Sequence, residues 1–141
     1  MNQIKVNNSG IVNLQHYDDS PDGVLVIGES LRSVPFEIKR IYYITNFGDS
    51  VAIRGKHAHK ELEQIIFCIH GSFLLHLDDG INKQDIIMDD PSVGIKLGNF
   101  LWHTMTKFSI DCVILVVASD YYSESDYIRD YKEFLKYVIR D

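Results

Sequence analysis

Cysteine is almost missing: the 141-residue chain has two, Cys68 and Cys112, and both lie in apolar runs. That excludes a disulfide framework and reads as a pair of buried thiols in a cytoplasmic protein. Proline is nearly as scarce, at three. No linker, internal repeat or low-complexity tract divides the chain, so residues 1–141 suit one domain around one core. An excess of positive charge is also missing. Lys and Arg total 14 against 20 Asp and Glu, a net charge of −6. This argues against a nucleic-acid partner, yet a few local cations can still hold an anionic small ligand. No apolar run approaches the roughly 20 residues of a membrane span. The opening text, MNQIKVNNSGIVNLQ, lacks the charged-then-apolar pattern of a signal peptide. No Gly-rich dinucleotide loop is present, and no cofactor is expected.

What is abundant is strand-forming text. Hydrophobic residues make up 45% of the chain, and eight Tyr, seven Phe and one Trp supply bulk for a core. Runs rich in Ile, Val, Phe and Tyr alternate with Gly, Pro, Asn and Asp. They predict strands over Ile11–Gln15, Val24–Glu29, Phe36–Thr45, Gly55–Lys60, Gln64–His70, Ser72–Asp78, Asp85–Asp89, Val93–Leu97, Leu101–Lys107 and Asp111–Ala118. HGSF at His70–Phe73, LDDGI at Leu77–Ile81 and DDPSVG at Asp89–Gly94 are turn signals. FLLHL and CVILVVA are apolar on both faces, as in strands of a filled barrel or sandwich. The tail differs. Tyr127, Ile128, Tyr131, Phe134, Leu135 and Val138 recur at helical spacing, and Ser123 with Asp126 resembles a capping box. The expected fold is therefore all-β with one C-terminal helix, a small barrel with the helix packed on it.

One short stretch concentrates chemistry. RGKHAHKELEQ, Arg54–Gln64, carries two histidines, an arginine and several charges between two buried-looking runs. On a strand His57 and His59 share a face, and Gly55 lets the backbone turn after Arg54. Three readings stay open. His57, His59, a carboxylate and His103 can form a cupin-type metal set. Against that, the place of the acid holds Gln64, Glu63 is predicted to face the other way, and GNFLWH at Gly98–His103 fits the second half of the metal pattern poorly. A histidine of near-neutral pKa, Arg54 for an oxyanion and a hydroxyl from Tyr42 or Tyr43 make an acid/base site. The bland alternative is a histidine pair that only hydrogen-bonds across a hairpin. His76 reads as a core or rim residue, and His16 and His70 as solvated loop residues. His103 either lines a pocket or caps one, and Trp102 is either core or a platform for a nucleotide base.

VPFEIKRIYYI (Val34–Ile44), RGKHAHKELEQ, GSFLLHLDDG (Gly71–Gly80) and ASDYYSESDYIRDYKEF (Ala118–Phe134) together resemble the sugar-nucleotide 3,4-ketoisomerases of the cupin superfamily, and more narrowly those acting on dTDP-4-keto-6-deoxyglucose. The likeness runs from about Val24 to Tyr137. It implies a double-stranded β-helix (cupin, or small jelly-roll barrel) and a homodimer that exchanges N-terminal strands, with no metal. The implied reaction moves a ketone from C-4 to C-3 of a dTDP-linked hexose, giving a dTDP-3-keto-6-deoxyhexose. A PLP-dependent aminotransferase is the pathway neighbour, making 3-amino-3,6-dideoxy sugars for surface glycans such as lipopolysaccharide O-antigen. By the same resemblance His57 and His59 are the paired active-site histidines, with Arg54 and the strand tyrosines Tyr42 and Tyr43 beside them. The expected catalytic group is His57, His59, Arg54 and Tyr43, and the expected substrate contacts are Tyr42, Arg40, Lys56, Gln64, Trp102 and His103. A related 3,5-epimerase and a metal-dependent cupin oxygenase are the rival activities, and a non-catalytic sugar-nucleotide-binding cupin is the rival class. The chain departs from the family at Asp18–Leu25, where Asp22 stands in the place of an arginine; Arg32 or Arg40 then supplies positive charge.

Overall fold

The computed structural model describes residues 3–48 and 51–139. Its elements in chain order are β1 Ser9–Asn13, β2 Gln15–Asp18, β3 Val24–Ile27, β4 Arg40–Ile44, β5 Arg54–His59, β6 Gln64–His70, β7 Phe73–Asp78, β8 Lys83–Met88, β9 Val93–Leu97, β10 Trp102–Thr106, β11 Val113–Ala118, β12 Tyr127–Ile128 and helix α1 Tyr131–Val138. Two five-stranded sheets run β1-β9-β6-β11-β4 and β12-β5-β10-β7-β8, and β2-β3 is a separate hairpin. Strands distant in sequence lie side by side, as in a jelly roll. The sheets face each other without closing edge to edge, so the expected barrel is a two-sheet double-stranded β-helix.

Side-chain alternation explains why the central strands read as apolar on both faces. From β6, Ile66 and Cys68 enter the space between the sheets, joining Phe73, Leu75 and Leu77 of β7 and Ile114 and Val116 of β11. The intervening Ile65 and Phe67 turn outward, but they are covered too, by Val34 and Phe36. The Phe36–Thr45 expectation shortens to β4 because Val34 and Phe36 act as this cover and not as strand. His16 and His70 fall in β2 and β6, not in loops, and both are exposed. His76 sits on the rim, its Nδ1 2.6 Å from Asp85 Oδ1.

Two further expectations are corrected. The strand expected over Ile11–Gln15 lies two residues earlier: β1, Ser9–Asn13, pairs with β9 of its own chain, in register Ser9 to Leu97 through Asn13 to Val93. Nor does the C-terminal helix begin at Ser123, which makes no side-chain cap bond and leads only into a 3₁₀ turn. Asp130 caps α1 instead, its side chain accepting from the Lys132 and Glu133 backbone N–H groups. Between turn and helix, Tyr127 and Ile128 pair with His59 and Ala58 of β5. Strand pairing to a neighbour thus overrides the helical spacing of these two residues. No helix among the described residues is long and apolar enough to cross a membrane.

Candidate active site

β5 positions the histidines. Its alternation sends Ala58 outward, where it packs with Trp102, Ile128 and Phe134 under the helix. His57 and His59 point the other way, their ring centroids 5.0 Å apart. By strict alternation Arg54, three residues before His57, belongs on the opposite face. A β-bulge prevents that. His103 of β10 pairs with His57 and Thr104 pairs with Gly55, leaving Lys56 as the extra residue. Gly55 and Lys56 both take positive φ, 84° and 58°. A Cβ on Gly55 would stand 2.9 Å from the His103 carbonyl oxygen, so only glycine fits. The bulge returns Arg54 to the cleft side, opposite Met105.

The cleft, about 290 Å³, is lined by Arg40, Tyr42, Arg54, His57, Met105 and Tyr127 among others. His57 is edge-on to His103 at 4.8 Å. Tyr127 packs against His57 at 5.0 Å and His59 at 4.4 Å. Arg129 lies over the Tyr127 ring at 4.2 Å and is itself held by both Glu124 carboxylate oxygens, at 2.8 and 2.9 Å.

Hydrogen bonds fix what each group offers. His57 Nδ1 lies 3.0 Å from the Gly55 carbonyl oxygen, and His59 Nδ1 lies 3.1 Å from Asp126 Oδ2. Both partners can only accept, so both Nδ1 atoms carry the proton and both Nε2 atoms present a bare lone pair. Burial pushes the pKa of His57 down to about 4, with the neighbouring His59 adding to the effect. Burial lowers that of His59 as well, partly offset by Asp126. Both rings are neutral at pH 7 and able to take a proton. Burial raises the pKa of the Tyr42 hydroxyl to about 12, so it stays a phenol and a donor; it reaches Gln64 Oε1 at 3.2 Å. Arg40 Nε, His59 Nε2 and Gln64 Nε2 are buried side-chain nitrogens without a partner. Unpaired buried polar atoms are costly, and these three stand in the cleft wall or directly behind it. Arg40 and Arg54 form no ion pair among the described residues, whose ion pairs lie elsewhere.

Not every expected residue comes to the site. Tyr43 is 69% exposed on the outer face of β4, because alternation gives the cleft Tyr42; the assignment of a catalytic role to Tyr43 is corrected. Trp102 packs edge-on to Tyr131 at 5.3 Å beneath the helix, so it is core and not a base platform. Lys56 is exposed at the bulge, Arg32 lies in an exposed turn, and Asp22 lies in the β2-β3 turn. Gln64 points inward, while Glu63 points out to Lys96, Oε1 to Nζ 3.1 Å. No three His, Cys, Asp or Glu side chains among the described residues are arranged to hold a metal ion. Asp126 and Tyr127, which helical spacing assigns to the start of a helix, come to the site instead. Their signal was the polar run Ser123–Asp126, too hydrophilic to open a packed helix, before an aromatic and a β-branched residue.

The WxcM-like, C-terminal (FdtA) family model matches residues 7–139. A TDP-4-oxo-6-deoxy-α-D-glucose-3,4-oxoisomerase of Aneurinibacillus thermoaerophilus is 45% identical over 130 residues, 92% of each chain. The chain belongs to the sugar 3,4-ketoisomerase family. A 3,4-ketoisomerase from Thermoanaerobacterium thermosaccharolyticum, a histidine-to-asparagine mutant in complex with TDP-4-keto-6-deoxyglucose, superposes at TM-score 0.91. It is 36% identical, over 95% of this chain and 96% of that one. A TDP-quinovose 3,4-ketoisomerase from Campylobacter jejuni is 42% identical at TM-score 0.87, over 93% and 99%. A 4-keto-6-deoxy sugar epimerase from Streptomyces spheroides, 13% identical at TM-score 0.72, shares the fold alone.

Proposed function

We propose that this ketoisomerase converts dTDP-4-keto-6-deoxy-D-glucose to a dTDP-3-keto-6-deoxyhexose by histidine acid/base catalysis. The observation that carries the reading is a cleft lined by the neutral His57, with the neutral His59 packed behind it, beside two guanidinium groups that no carboxylate among the described residues neutralises. The C-3 hydrogen of the sugar is acidic because it is α to the C-4 ketone. A histidine Nε2 takes it as a proton, and the electron pair moves into an enediolate. Delivery of a proton to C-4 and transfer of the C-3 hydroxyl proton to O-4 leave the ketone at C-3 and a hydroxyl at C-4. Hydride never leaves the sugar, so the step balances without a redox partner.

The enediolate is the costly species, and preorganised donors offset it. Arg54 and the neutral Tyr42 hydroxyl supply them, with Tyr127 bordering the same space. Arg40 offers its unpaired Nε to the substrate's negative groups, Lys56 adds charge from the rim, and Gln64 and His103 support Tyr42 and His57 from behind. The test is to add dTDP-4-keto-6-deoxyglucose and follow the ring by NMR, with and without EDTA. We expect the C-4 ketone signal to be replaced by one at C-3 at the same rate in both samples. A ketone that stays at C-4 with inverted centres would identify an epimerase. Loss with EDTA and recovery with one divalent ion would identify a metal enzyme, and bound but unchanged sugar a binding protein.

A 3-ketone is a substrate type for a PLP-dependent aminotransferase, which places the product on a route to amino sugars of surface glycans. Two buried thiols, Sγ atoms 4.0 Å apart, suit a reducing cytoplasm. We also place the chain in a homodimer with exchanged N-terminal strands. Among the described residues the hairpin β2-β3 pairs with no other strand, and beside it an apolar groove of about 440 Å³ is lined by Leu14, Val24, Val26, Phe67, Ile69 and Leu115 among others. A second copy of the chain would cover both. Light scattering is expected to report about twice 16.2 kDa; a monomer mass at micromolar concentration would rule the dimer out.

A further inference from the structure

We propose that Asp126 is a positioning residue for the isomerisation, holding His59 in the tautomer whose Nε2 lone pair is left bare behind the cleft-lining His57 and Tyr127. The proposal rests on the reading of His59 as an acid/base group. His59 is only 3% exposed, so water is not there to choose its tautomer. Among the described residues Asp126 Oδ2 is the one hydrogen-bond acceptor at its Nδ1, at 3.1 Å, and Nε2 is buried with no partner. A carboxylate accepts and cannot donate, so it fixes the proton on Nδ1.

The carboxylate is itself held still. Oδ1 accepts from the Glu61 backbone N–H at 2.8 Å, and Oδ2 also accepts from that of Leu62 at 3.2 Å. The pairing of Tyr127 with His59 fixes the backbone next to Asp126. A merely structural reading is that Asp126 only ties down the β5-β6 connection. Ser119 distinguishes the two. Its Oγ accepts from the Glu63 N–H of the same connection at 3.0 Å and touches neither histidine.

The charged and titratable groups facing His59 are His57 on its own strand, His103 on β10, Arg40 on β4, and Asp126, Tyr127 and Arg129 on the segment before the helix. Of these Asp126 alone favours the charged ring. Its loss therefore lowers the His59 pKa further.

The test compares Asp126→Asn, Asp126→Glu, Ser119→Ala and His59→Asn. In Asp126→Asn an amide nitrogen can face Nδ1 and force the proton onto Nε2. We expect kcat to fall about 10²- to 10⁴-fold with KM within about threefold of wild type. The acid limb of the residual kcat/KM should move to lower pH. Asp126→Glu should recover part of the rate, and Ser119→Ala should match wild type. Turnover of Asp126→Asn within about threefold of wild type would overturn the proposal, as would an equal loss in Asp126→Asn and Ser119→Ala without a shift of the acid limb. If His59→Asn keeps full turnover, the acid/base reading of His59 fails, and this proposal with it. A normal Asp126→Asn beside an inactive His59→Asn defeats the positioning role alone. Should Asp126→Asn not fold, ¹⁵N NMR of the histidine rings in the wild-type protein decides: a proton on His59 Nδ1 supports the proposal and a proton on Nε2 overturns it.

Discussion

His57→Asn and His59→Asn are each expected to lower kcat by about 10²- to 10⁴-fold while KM stays within about threefold of wild type. Asparagine can place a polar atom where Nδ1 was, so the bonds to the Gly55 carbonyl and the Asp126 carboxylate have a substitute. Nothing replaces Nε2, the atom that carries the bare lone pair. The loss is therefore one of proton transfer to the developing enediolate and not of binding to the nucleotide. Deuterium separates the two roles. In D₂O a variant lacking the carbon base takes up no label at carbon. A variant lacking only the oxygen shuttle still exchanges the C-3 hydrogen yet forms no product. The pH profile is a second check. His57 is held neutral down to about 4, and kcat/KM reports the free enzyme. Its acid limb in the wild type should therefore lie well below 6.5, the ordinary histidine value. If both variants turn over at near wild-type rates, the pair is structural.

The same depressed pKa values bear on stability. Burial lowers the folded-state pKa of His57, His59 and His103. As pH falls below about 6.5 the unfolded chain binds protons that the folded chain refuses. These three rings therefore reduce stability progressively on the acid side, down to their folded pKa values, and cost nothing above neutral pH.

Local text revealed the strands wherever alternation and burial agree. Gln64–His70 and Val93–Leu97 stand in the structure with the bounds their composition implies. The alternation that put His57 and His59 on one face also separates Tyr42 from Tyr43, but the sequence does not say which tyrosine faces in. That depends on the register of β4 against β11, where Tyr42 pairs with Val116 and Tyr43 with Leu115. Arg54 is legible as a candidate from its chemistry and from the family resemblance, but not from strand alternation. By period alone it belongs on the wrong face, and the Gly55–Lys56 bulge that corrects it is a long-range feature of pairing with β10. Trp102 was ambiguous for the same reason. Its neighbour His103 faces His57, so Trp102 must face the helix, and that choice is made by the sheet. Asp126 and Tyr127 were hidden by a coincidence: Tyr127 and Ile128 fall on the apolar stripe of the helix that follows. Their pairing with His59 and Ala58 is a contact across nearly seventy positions that no local pattern encodes.

Phe134→Ala is expected to destabilise the protein by about 3–5 kcal/mol, lowering Tm by on the order of 10–20 °C. Phe134 is fully buried and is the only buried residue of α1. It fills the space between the helix and the outer side of the site sheet, against Ala58, Trp102 and Ile128. The small Ala58 lets the ring approach β5 between the two histidines, and Ile128 holds β12 on the same strand. Truncation leaves a cavity directly behind the strand that carries His57 and His59. The one polar tie of the helix to the sheet is the Tyr131 hydroxyl, which donates to Asp78 Oδ2 at 2.6 Å. It cannot replace the lost packing, since a net hydrogen bond is worth about 1 kcal/mol. Phe134→Leu, which keeps most of the volume, should lose less than half as much. Thermal melts of both variants check the ordering. If Phe134→Ala melts within about 2 °C of wild type, under 1 kcal/mol on the same scale, the helix does not brace the histidine strand. The pairing of Tyr127 with His59 must then stand by its own hydrogen bonds.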